Sequence, residues 1–231
     1  MLLTDTEIEG AIQQGLVSIQ PYDPEALMPA SYDLKLGKKA IIAKSLSLEE
    51  LKEKIGREEV KQLDVEREMS INIPGGGFAF VTTLEKIKLA PSFAAHIGMK
   101  TYYVRKGVAL LSGLQIDPGW EGNLVLGVAN LSPRTVTIEF RDAICSIELH
   151  RLNQEVGKAY PGTYMAEQRE GRIPKQDKDY LRTIETMSVS DLTRALLTLS
   201  GNVESLSRQF RYFWIPVGIV VLLALLQFLK G

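Results

Sequence analysis

Ile116-Asp117-Pro118-Gly119-Trp120-Glu121-Gly122-Asn123-Leu124-Val125-Leu126-Gly127-Val128-Ala129-Asn130 is the stretch that decides the fold class. Asp-Pro-Gly is a tight-turn sequence, because proline pre-sets φ at the second turn position and glycine accepts the positive φ of the third. The residues that follow read as a β-strand whose alternate side chains face opposite ways. A carboxylate, Asp117, therefore stands on a turn that opens a strand.

The same grammar extends on either side. Pro74-Gly75-Gly76-Gly77 precedes Phe78 to Thr83; Gly107 to Leu111, Thr135 to Phe140 and Ala143 to Leu149 follow the pattern. Short strands separated by turns at intervals of about ten residues indicate an all-β sandwich or barrel. The triple glycine is a turn, since no Gly-Lys-Ser/Thr follows it and no helix begins there. Upstream, Thr4-Asp5-Thr6-Glu7 is a capping box that opens a helix over 4–14, punctuated by Gly15. Tyr32, Leu34 and Leu36 alternate as the buried face of another strand. Residues 45–63, opened by the capping box Ser47-Leu48-Glu49-Glu50, read as a charged surface helix, and 153–176 as loop.

Composition limits the chemistry. The net charge of −1 gives no electrostatic reason to expect nucleic acid. Cys145 is the only cysteine, and the two histidines, His96 and His150, lie far apart in the chain. Neither a thiolate cluster nor a His-based zinc site is expected, so the metal assignment is none.

The C-terminal part differs in kind. Val189, Leu192, Leu196, Leu199, Val203, Leu206 and Phe210 follow a 3,4 spacing, the seam of a coiled coil. Tyr212 to Leu229 is an apolar run of about 18 residues, near the lower limit for crossing a bilayer. Aromatic residues stand at one edge, and Arg208 and Arg211 precede it. These signs predict a single-pass C-terminal membrane anchor over 211–231, contacting lipid through 212–229, with the β domain in the cytoplasm. The expected division is 1–160 β domain, 161–186 linker, 187–210 coiled-coil-like helix and 211–231 anchor.

The ordered set of segments resembles the dCTP deaminase/dUTPase superfamily, its dCTP deaminase branch most of all. It comprises the N-terminal helix, Gln20 to Pro24, Pro29 to Leu34, Phe78 to Glu85, Gly98 to Gly107 and the opening stretch, together most of residues 1–150. The resemblance implies a mainly β, dUTPase-like distorted barrel (a β-clip) that forms a homotrimer with sites between subunits. It implies binding of a pyrimidine deoxynucleotide, dUTP or dCTP, with Mg²⁺ carried on the triphosphate. By the family's pattern, Lys100, Thr101 and Arg105 hold the phosphates, where charged donors and a short hydroxyl suit the oxygens. Tyr102 stands where the family has a small residue. Gln115, Ile116, Trp120, Tyr164 and Gln168 are the implied nucleotide contacts, and Asp117 the catalytic group that orients a water for attack on the α-phosphate.

Deamination needs a further carboxylate to shuttle protons, and the family places a Glu on the strand where this chain has Gly127. Glu121 lies on the turn instead. Dedicated dUTPases also lack that Glu, but the Gly-rich motif with which they close over the phosphates is missing here. The expected activity is therefore a membrane-anchored nucleotide diphosphohydrolase of dUTPase type. A catalytically inactive nucleotide sensor signalling through its membrane helix, and a divergent dCTP deaminase, are the alternatives.

Overall fold

The computed structural model describes residues 1–43, 62–162, 165–183 and 189–229. Two compact units divide the chain, Met1–Val189 and Ser190–Gly231.

The first unit begins with helix α1 (Asp5–Gln13), closed at its start by the expected capping box, with Thr4 N–H donating to Glu7 Oε2 at 2.9 Å. Ile8 and Ala11 put its apolar side into the core. The chain continues through β1 (Val17–Gln20), β2 (Leu27–Met28), β3 (Ser31–Ile42), β4 (Gln62–Asp64), α2 (Val65–Glu68) and β5 (Ser70–Ile73). Next come β6 (Phe78–Leu89), β7 (Phe93–Met99), α3 (Thr101–Val104), β8 (Val108–Leu110), β9 (Gln115–Ile116) and β10 (Glu121–Asn130). Strands β11 (Val136–Glu139) and β12 (Ala143–Arg151) precede α4 (Met165–Arg169) and α5 (Lys175–Thr183). The charged helix expected over 45–63 lies outside the described residues except at its end, where Gln62 and Leu63 open β4.

Strand pairing is antiparallel, with the main sheet running β8-β10-β6-β3-β12-β7-β9 and β5 pairing β11 in a second sheet. The two ends of that path, β8 and β9, are separated in sequence only by residues 111–114. Laid flat, seven strands would hold them about 29 Å apart at the usual inter-strand spacing. The connecting backbone spans at most about 18 Å from Leu110 to Gln115. The sheet must therefore curl back on itself, and its two edges approach. This is the mainly β, curled architecture expected.

Alternation on β3 sets the core: Tyr32, Leu34 and Leu36 are fully buried, packed with Leu3, Val81, Ile87, Ile147 and Leu149. A smaller cluster on the other side joins Ile41 and Ala43 to Ile173 and Leu181, with Phe78, Phe80 and Val125 against it. Residues expected as loop over 153–176 thus include α4 and a buried isoleucine. Loop-like composition hid them, because a five-residue helix is too short to show a periodic apolar stripe.

The described residues of the second unit, 190–229, are helix α6 (Val189–Phe228) and Leu229 after it, and Pro216 lies inside the helix. Leu196, Leu199, Val203, Leu206 and Phe210 of the heptad are exposed along it. The membrane anchor over 211–231 is a correction. Among the described residues no helix is long and apolar enough to cross a membrane. With it go the lipid bilayer as a partner through 212–229 and the single-pass location with a cytoplasmic β domain. The apolar residues are the far end of a helix that starts well before them, not a segment of their own. A run this close to the minimum spanning length does not by itself separate a bilayer span from an apolar packing surface.

Candidate functional site

Asp117, Pro118, Gly119 and Trp120 form the turn read from the sequence. Trp120 N–H donates to the Asp117 carbonyl at 3.1 Å, and Gly119 has φ +85°. A Cβ on Gly119 would lie 2.8 Å from Cβ of Ala159, so glycine is required here by conformation and by space. Tyr160 N–H donates to the Pro118 carbonyl at 2.9 Å, and its ring lies 5.3 Å from that of Trp120. The turn is thereby clamped from outside by the segment after β12. Gln115 Nε2 donates to Asp117 Oδ1 at 2.7 Å, which fixes the carboxylate's orientation and leaves its second oxygen for other donors.

Asp117 lines a pocket of about 200 Å³ with Gln115, Ile116, Trp120, Leu124, Leu126, Tyr160 and Gln168. The curl of the sheet creates it: β9 is the terminal strand at one edge and β10 lies next to the other. Gln168 reaches it from α4 and is 8% exposed. Its side-chain Oε1 is buried and has no hydrogen-bond partner among the described residues. A buried acceptor left so costs about 1–3 kcal/mol, which a donor on a ligand would relieve. Five of the expected residues, Gln115, Ile116, Asp117, Trp120 and Gln168, are thus brought together. Tyr164 lies outside the described residues.

Gly127 sits where no carboxylate can stand without displacement. A Cβ there would meet the Leu111 carbonyl oxygen at 3.0 Å and the Phe78 ring at 3.1 Å. Its N–H donates to Ser112 Oγ at 2.9 Å. Glu121 does not replace the missing group. Its carboxylate lies 3.0 Å from Lys86 Nζ and 3.5 Å from Arg169, and the Lys86 hydrogen bond holds it below the usual carboxylate range.

The three expected phosphate ligands lie on or beside α3 and do not line this pocket. Lys100 Nζ is 2.6 Å from Oδ2 of Asp33, a carboxylate only 5% exposed that also accepts from Ser146 Oγ at 2.7 Å. Much of the Lys100 charge is therefore spent inside its own chain. Thr101 opens α3, and Arg105 follows its last turn. Lys106 Nζ donates to Tyr102 Oη at 2.6 Å, so the bulky ring is anchored at the surface.

Two further groups escape sequence reasoning. Glu85 on β6 is 1% exposed, accepts from Lys35 N–H at 2.9 Å, and is pushed by burial up to about 7. His96 and His150, whose separation in sequence argued against a shared zinc site, pack against each other with tilted rings, centroids 4.5 Å apart. Burial, with His96 alongside, holds His150 below the usual imidazole range. Strand pairing supplies the signal that was missing: β12 lies antiparallel to β7, with Glu148 opposite His96.

Comparison with known proteins agrees with this architecture. The family model for dCTP deaminase-like proteins matches residues 2–152. A dCTP deaminase of Pyrococcus abyssi is 33% identical over 169 residues, covering 73% of this chain and 96% of that protein. A "dCTP deaminase, dUMP-forming" of Aquifex aeolicus is 27% identical over 176 residues, covering 76% of this chain and 94% of the relative. Among solved structures, the 2'-deoxycytidine 5'-triphosphate deaminase of Agrobacterium tumefaciens superposes with TM-score 0.50 at 18% identity. That match covers 65% of this chain and 47% of the other, and it shows likeness of fold. By its matched residues and its curled β architecture, the chain belongs to the dCTP deaminase-like family.

Proposed function

We propose that this protein binds a pyrimidine deoxynucleoside triphosphate, dUTP or dCTP, and hydrolyses it to the monophosphate and pyrophosphate. The observation that carries this reading is Asp117, oriented by Gln115 in a pocket that also offers the unpartnered Gln168 carbonyl. Uracil N3–H or the cytosine amino group would supply the donor that Gln168 lacks. Asp117 accepts a proton from water as the water oxygen bonds to the α-phosphorus. The bond from that phosphorus to the bridging oxygen breaks, and pyrophosphate leaves. Mg²⁺ prefers an all-oxygen shell, which the triphosphate itself provides, so it would enter with the nucleotide.

The name of the Aquifex aeolicus relative, forming dUMP from dCTP, supports phosphate release within this family. Deamination is disfavoured because Gly127 supplies no carboxylate and Glu121 is engaged by Lys86 and Arg169. A homotrimer is part of the proposal, because Lys100, Thr101 and Arg105 do not line the pocket of their own chain and suit that of a second copy. The exposed heptad face of α6 suits the same assembly.

A binding-only module is the second reading, favoured by the commitment of Lys100 to Asp33. One experiment separates them: the protein is given dUTP or dCTP with Mg²⁺, and pyrophosphate and ammonia are followed separately. Hydrolysis predicts pyrophosphate that falls by about 10²–10⁴-fold in Asp117→Asn, the range for loss of a general base. Saturable binding with neither product supports the binding module. Ammonia from dCTP would overturn the reading of Gly127.

A further inference from the structure

We propose that His96, Glu148 and His150 form a binding site for a divalent transition-metal ion of the zinc class, beside the nucleotide pocket and separate from the Mg²⁺ that a triphosphate carries.

The placement follows from the sheet. Glu148 and His150 are two apart on β12 and so share a face. His96 on β7 is directly opposite Glu148, which puts it on that same face and makes His150 its diagonal neighbour. One ligand atom from each residue lies within 4.8 Å of the other two. His150 Nε2 and Glu148 Oε2 are 3.9 Å apart. Ligands bonded at about 2.1 Å to a tetrahedral zinc stand about 3.4 Å from each other, so side-chain adjustment of about 1 Å closes the site.

Two observations favour an ion over simple ring packing. His150 Nε2 is buried and has no hydrogen-bond partner among the described residues, an arrangement that a metal bond would satisfy. His96 and His150 also line an open groove of about 640 Å³, giving an ion a way in and leaving room for a non-protein ligand. Two imidazoles and one carboxylate suit Zn²⁺, Co²⁺ or Ni²⁺ and are poor ligands for Mg²⁺. Gln115 and Asp117 line the same groove, and Gln115 lies opposite His96 across β7 and β9. An ion here would sit one strand away from the residue that orients the proposed catalytic carboxylate.

The test uses the full chain with any affinity tag removed and no nucleotide present, so its outcome is independent of the hydrolase reading. The chelator-stripped protein is titrated with Zn²⁺ against a chromophoric competitor, and with Mg²⁺ in parallel. One saturable Zn²⁺ per chain is expected, with His150→Ala and His96→Ala each weakening it by more than the ~100-fold typical of losing a supporting group. Glu148→Gln weakens it less. Zn²⁺ should raise the melting temperature of the wild type and leave His150→Ala unchanged. Should a variant fail to fold, wild-type Co²⁺ spectra and imidazole NMR shifts on adding Zn²⁺ decide the matter. Zn²⁺ binding no tighter than in the folded variants overturns the site, as does equal competition by Mg²⁺ or the absence of imidazole shifts.

Discussion

Glu85 makes the stability of the β domain depend on pH in a direction opposite to most carboxylates. It is 1% exposed, and burial raises it from an ordinary 4.5 to about 7 despite the Lys35 N–H bond. Because the folded value lies above the unfolded one, the unfolded chain releases this proton first as pH rises. The neutral carboxyl's contribution is complete below pH 4.5 and is lost progressively up to and through pH 7. The gap between the two values, at about 1.4 kcal/mol per pH unit, amounts to about 3 kcal/mol. Glu85→Gln keeps the shape and an acceptor for Lys35 N–H while removing the titration. Relative to wild type, the variant should therefore gain about 3 kcal/mol between pH 4.5 and 8. For a chain of this size that is roughly 6–12 °C in melting temperature. Thermal and urea denaturation of both proteins across that range measure it. A stability difference that stays constant with pH would refute the argument, since it would mean that Glu85 titrates as a solvated carboxyl.

Two further outcomes follow from other buried features. Asn130 is fully buried; its amide donates to the carbonyls of Ile73, Pro74 and Arg134, and its Oδ1 accepts from Ser132. Asn130→Ala strands those carbonyls and should cost about 3 kcal/mol in urea denaturation, whereas an effect under about 0.5 kcal/mol would mean that water reaches them. Gly127→Glu must displace the Phe78 ring or the Leu111 backbone, so it should lower stability by about 1–3 kcal/mol and release no ammonia from dCTP. A deaminase gained by this single change would show that the glycine position opens into the pocket.

The readings that held rest on short-range physics. The capping box at Thr4 and Glu7, the alternation of Tyr32, Leu34 and Leu36, and the Asp-Pro-Gly turn each depend on residues within a few positions of one another. Such patterns prescribe backbone geometry and the apolar face of a strand, and from them an all-β sandwich or barrel with Asp117 on a turn was legible; the curled barrel was implied by the family resemblance. The grouping of Gln115, Ile116, Asp117, Trp120 and Gln168 came from the family resemblance, and the curl of the sheet explains it. The apolar tail misled because hydropathy reports what a segment avoids, not what covers it.

Tertiary structure decided the pairings between distant side chains. Lys100 meets Asp33, 67 positions away, because β3 and β7 both pair with β12. His96 meets His150 because antiparallel register sets Glu148 opposite His96 and the pleat returns His150 to the same face. Gly127 is crowded by Phe78 through the pairing of β10 with β6. Sequence thus determined the elements and their apolar faces, whereas register and curl determined which charges are spent, which imidazoles meet and which space is closed. The physical reason is range: backbone preferences act over a few residues, whereas strand pairing brings together residues that no local pattern links.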